Sequence, residues 1–82
     1  MDTKQKYVRL KEYDEIIIFP CVIEHSRFKH MNPISAGFCY VHADKIFCFG
    51  ASYSLNLEAN EKEDSFKATY QIFGFEMAEK LL

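Results

Sequence analysis

The sequence predicts an α+β domain: a mainly antiparallel sheet of four to five strands, a short helical segment after Pro20, and a C-terminal amphipathic helix on one face of the sheet. Three observations carry this. Ile16 to Phe19 is a β-branched run closed by a proline, AGFCYVHADKIFCFG (residues 36–50) is nearly a mirror about Ala43 and Asp44, and Phe66, Tyr70, Phe73, Met77 and Leu81 recur every three or four residues.

Taken in order, Lys6 to Leu10 alternates weakly and reads as a first strand. Ile16 to Phe19 reads as a second, apolar on both faces and therefore expected at the centre of the sheet, with Pro20 ending it because proline cannot donate to a ladder. Ile23 to Met31 turns polar, with Phe28 and Met31 three apart, and suits a short helix or turn over the sheet edge. Asn32-Pro33 breaks the chain. Ile34 to His42 and Lys45 to Gly50 form a hairpin, and Tyr53 to Leu57 alternates as a half-buried strand does. Asn60 is a good N-cap, the acids after it suit the positive end of a helix dipole, and the apolar spacing beyond predicts a helix running close to the C-terminus, with Gly74 marking close packing or a bend.

The hairpin fixes a sorting of side chains. With an even loop, Val41 faces Ile46, Cys39 faces Cys48 and Gly37 faces Gly50, while Tyr40 faces Phe47 and Phe38 faces Phe49 on the other side. The small face offers holes for helix aromatics such as Phe66, Tyr70 and Phe73. The face of four rings, Phe38, Tyr40, Phe47 and Phe49, is left to be covered by the segment after Pro20, by a second copy of the chain or by another protein. Exposed apolar patches of that kind mark contacts.

Length and composition bound the function. Eighty-two residues make one domain with a thin core, and 49% hydrophobic with 27% charged residues is a folding composition. A net charge of -2 argues against a nonspecific nucleic-acid binder, which carries a basic stripe. MDTKQKYVRL lacks the apolar run of a secretion signal and no stretch is long and apolar enough for a membrane span, so a cytoplasmic location is expected. The three cysteines, Cys21, Cys39 and Cys48, are then expected as reduced thiols.

Catalytic and metal signals are weak. Glu24-His25-Ser26 places acid, imidazole and hydroxyl consecutively, but neighbouring side chains on a helix or strand do not face one another. Cys39 and Cys48 with a histidine match no familiar zinc spacing. No cofactor, no metal and no catalytic residue is expected, and the chain is not expected to be an enzyme. An alternative site for a small anionic ligand, such as a nucleotide signal, is offered by His25 and Arg27 together with Ser52 and Ser54.

Three stretches, EIIIFPCVIEHSRF (residues 15–28), SAGFCYV (residues 35–41) and CFGASYSLNL (residues 48–57), together resemble a group of small phage and prophage accessory proteins. The resemblance implies a small protein of a bacterial host cell that binds and inhibits or modulates a host protein, a defence system included. The leading expectation is therefore a non-enzymatic protein-binding module using Phe38, Tyr40, Phe47 and Phe49, with self-association as a related outcome.

Overall fold

The computed structural model describes residues 3–82; the first two residues of the stretch MDTKQKYVRL read above lie outside them. Four strands form one antiparallel sheet in the order β2-β1-β3-β4: β1 (Gln5–Leu10), β2 (Ile16–Phe19), β3 (Pro33–His42) and β4 (Lys45–Phe49). A 3-10 helix, His25–Met31, joins β2 to β3. Two short strands, β5 (Ala51–Ser52) and β6 (Leu57–Glu58), pair as a separate ribbon, followed by α1 (Glu61–Phe73) and α2 (Phe75–Glu79). The fold is α+β, as the sequence predicts.

The hairpin has the even register: Phe38 pairs with Phe49, Cys39 with Cys48, Tyr40 with Phe47 and Val41 with Ile46, the ladder ending before Gly37 and Gly50. Its two-residue turn places Ala43 and Asp44 at φ +51° and +59°. Positive φ at both central residues matches the right-handed twist of the strands, even though neither residue is glycine or asparagine.

Alternation along the strands gives the sheet two apolar faces. Tyr7, Ile16, Cys39, Ile46 and Cys48 form one cluster with Ala68 of α1. Val8, Leu10, Phe19 and Ala36 form the other, covered by Ile23, Phe28 and Met31 from the 3-10 segment and by Leu55 and Leu57. Leu57 packs on one face and Ala59 on the other, so the chain changes sides between them. It crosses beside Gly37, where an added Cβ would collide with the Phe49 carbonyl and sit 3.3 Å from the Ala59 methyl. Only a residue without a side chain leaves room for that crossing.

Four expectations are corrected. β2 is an edge strand, paired with β1 alone, and the central strands are β1 and β3, each paired on both sides. The span from Tyr53 to Asn56 is a turn between β5 and β6 rather than a strand, and Tyr53 is almost fully exposed. The single C-terminal helix is divided in two at Gly74, where the bend foreseen holds, at a φ of +96° inaccessible at low cost to other residues. Close packing does not hold there, since among the described residues nothing lies within 4 Å of an added Cβ.

The fourth concerns what α1 buries. Asp64, Ser65, Ala68 and Thr69 face the sheet, while Tyr70 and Phe73 are exposed. The cause is the sheet edge. The outward N–H of Ile46 donates to Thr69 Oγ1 at 2.8 Å and that of Cys48 to Ser65 Oγ at 2.7 Å, so α1 docks by hydroxyls that complete the ladder of β4. At the opposite edge Gln71 accepts from Ile16 N at 2.9 Å and donates to Ile16 O at 2.8 Å, as a neighbouring strand would. One helix thus closes both edges against stray pairing.

Candidate partner-binding site

β3 and β4 bring the four predicted rings together on the sheet face away from α1. Tyr40 stacks on Phe47 with centroids 5.3 Å apart, and Phe49 lies 6.0 Å from both Phe38 and Tyr40. All four are half-buried. Phe38 is the best covered: His25 meets it edge-on at 5.8 Å, and the Lys4 ammonium lies 4.6 Å from its ring centroid. The 3-10 segment therefore reaches Phe38 but leaves Tyr40, Phe47 and Phe49 bordering an open groove of about 490 Å³. The far wall of the groove is Glu61, Lys62 and Ser65 of α1 with Leu81.

The alternative ligand residues divide. His25, Ser52 and Ser54 line one cleft of about 310 Å³ with Lys6, whereas Arg27 lines a different one with Val22 and Ile23. His25 is buried between Phe19 and Phe38 and donates from Nε2 to the Gly37 carbonyl at 2.8 Å, a core role. Ser52 is buried as well, and its hydroxyl accepts from Leu55 N at 3.3 Å, closing the turn. The His25 imidazole is bonded to the Gly37 carbonyl rather than to Glu24 or Ser26, so the Glu24-His25-Ser26 run forms no acid-base-nucleophile relay through that bond.

Cys39 and Cys48 are free and buried against α1, and burial pushes both thiols up, Cys39 to about 11. High thiol pKa values make poor nucleophiles. Among the described residues no group of three His, Cys, Asp or Glu side chains is arranged to hold a metal ion, and no helix is long and apolar enough to cross a membrane.

A buried polar network behind the sheet went unread in the sequence. The Tyr7 hydroxyl donates to the fully buried Asp64 carboxylate, which also accepts from Arg9 at 3.1 Å and from Asn60 N at 3.0 Å. Arg9 further binds Glu63 at 2.7 Å and Asp14 at 2.6 Å, and Lys67 lies 3.4 Å from Asp14. Burial together with the Asp64 bond raises the Tyr7 hydroxyl far above its ordinary range. Burial opposes the Arg9 charge, but its carboxylate partners outweigh it and hold the guanidinium protonated. The Arg9 bond holds the Asp14 carboxyl below the usual carboxylate range. The helix cap works in reverse of the expectation: Asn60 stands at the N-cap without a side-chain cap bond, and Asp64 reaches back to its N–H. The strict alternation of Tyr7 and Arg9 with Val8 and Leu10 was the available signal that both polar groups share the inner face.

A second apolar surface was also unforeseen. With α1 docked by its hydroxyls, Tyr70, Ile72, Phe73 and Phe75 are exposed around the α1–α2 bend. No family model matches the chain, and neither the curated proteins nor the solved structures contain a match to it.

Proposed function

We propose that this chain is a non-enzymatic protein-binding module whose contact is the ring face of β3 and β4, acting in a bacterial host cell as a phage-type inhibitor or modulator of a host protein. One observation carries the proposal. Tyr40 and Phe47, stacked on each other, flank a groove that no segment of the described chain fills. Rings held rigidly beside an unfilled apolar groove lose little entropy on binding, and aromatic residues of this kind are enriched at interface centres. The thiols of Cys39 and Cys48, the His25 imidazole and the Tyr7, Arg9 and Asp64 side chains are held within the fold.

Tyr40→Ser and Phe47→Ser test it. Both variants are expected to keep the far-UV circular dichroism of the parent while losing proteins that the parent captures from bacterial lysate, or losing self-association in sedimentation. Unchanged capture and unchanged sedimentation, or an unfolded spectrum, would show that the rings serve only the core.

A further inference from the structure

Lysines outnumber acids around the rings, where Glu61 lines the groove and Glu24 the cleft beside Phe38. β1 to β4 contain no aspartate or glutamate. Lys6 is paired directly with Phe38 across the sheet, and the Lys4 ammonium stands over the Phe38 ring. Lys45 lies two residues before Phe47 and therefore on the same face. Lys62 lines the groove from the α1 side, with Glu61 beside it as the one acid there. The acids of the opposite face are consumed by Arg9: Asp14, Glu63 and Asp64 all bind it. A chain of net charge -2 thus gathers four lysines about its ring face.

We infer that the groove beside Tyr40, Phe47 and Phe49 takes an apolar side chain of a partner protein segment whose flanking residues are acidic. This rests on the protein-binding function proposed above and names the chemistry of its partner. The groove, about 490 Å³, has room for one large side chain and the backbone that carries it. Lysines at its rim would steer and orient carboxylates on either side of that anchor. A single-stranded nucleic acid is the other polymer that favours rings among lysines, but it stacks bases on open ring faces. Here Tyr40 and Phe47 cover one face of each other at an interplanar angle of 23°, and Lys4 covers one face of Phe38, so fewer ring faces are open to stacked bases.

The test uses short fluorescently labelled peptides with a central phenylalanine flanked by glutamates, by lysines or by serines, together with an oligothymidylate, titrated by anisotropy against the full chain. The glutamate-flanked peptide is expected to bind tightest, to weaken as ionic strength rises, and to weaken by about tenfold against the double variant Lys45→Glu, Lys62→Glu. Lys62→Glu adds an acid to the first turn of α1, which suits the helix dipole, so the fold is retained. Equal binding of all three peptides, lost only in Tyr40→Ser or Phe47→Ser, would overturn the acidic-partner inference and leave the ring contact standing. Binding of none of the peptides would overturn both, and tighter binding of the oligothymidylate would assign the face to nucleic acid instead.

Discussion

At Cys39 and Cys48 two thiols face each other across β3 and β4, and α1 seals them from water. A buried thiolate has no solvation, so burial raises both, Cys39 to about 11 against 9.0 for a free thiol. Above about pH 9 the unfolded chain releases these protons while the folded chain keeps them, and the unfolded state is favoured. Their stabilising contribution is thus full below pH 9 and lost as pH rises through the folded values, with Tyr7 adding to the same loss at higher pH. Urea midpoints are expected to hold steady from neutrality to about pH 9 and to fall beyond it, more gently in Cys39→Ala, Cys48→Ala. A midpoint unchanged up to about pH 11 would contradict the burial of the pair. In native protein the half-buried Cys21, which donates weakly to the Lys4 carbonyl, should react with a thiol reagent before the other two.

The element that organises the molecule is α1, and it does so through polar side chains on its inner face. Ser65 and Thr69 each accept a backbone N–H of β4, and Gln71 pairs with both backbone groups of Ile16 in β2. A buried N–H deprived of its acceptor costs about 1–3 kcal/mol. Thr69→Val, which keeps the shape and removes the hydroxyl, should therefore lower stability by about that amount, and Ser65→Ala likewise. Denaturant titration checks the size, and hydrogen exchange checks the location: the Ile46 and Cys48 amides should lose protection first. Equal protection in the variants would mean that the hydroxyls are incidental to the docking. The same arrangement turns Tyr70 and Phe73 outward, which is why the helix stripe expected to fill the core becomes surface.

Across the whole molecule, Asp64 ties sheet to helix. It accepts from Tyr7 and Arg9 of β1 and from Asn60 at the start of α1, and it is completely buried. Removing one member of a buried charged cluster leaves the others uncompensated and costs roughly 3–5 kcal/mol. In a domain with about 5–15 kcal/mol in total, that is a large fraction. Asp64→Ala is expected to lower the melting temperature sharply or to leave the chain unfolded, whereas Glu63→Ala, at the exposed rim of the same cluster, should cost less than about 1 kcal/mol. Similar losses in the two variants would show that the network is peripheral to stability. Acid acts in the same direction through Asp14. Its carboxyl is held low by Arg9, so its modest contribution is present above the ordinary carboxylate range and is lost as pH falls through the lowered value.

The sequence by itself determined the first four strands and the hairpin register, though not the turn from Tyr53 to Asn56. The β-branched run and Pro20 marked β2, and the mirrored residues about Ala43-Asp44 sorted rings to one face and thiols to the other, because strand periodicity is a property of neighbouring residues. It also showed that α1 would begin at Asn60 and that Gly74 stood at a special position. Strand order, the divided coverage of the ring face and the identity of the buried helix face were decided by tertiary structure. The run Ile16 to Phe19 is apolar enough for a central strand, but Gln71 supplies its missing partner and lets it lie at an edge. Hydropathy ranked Phe66, Tyr70 and Phe73 above Ser65 and Thr69 for burial. The unpaired backbone of β4 reversed that order, since open N–H groups in a dry interface cost more than rings left partly in water.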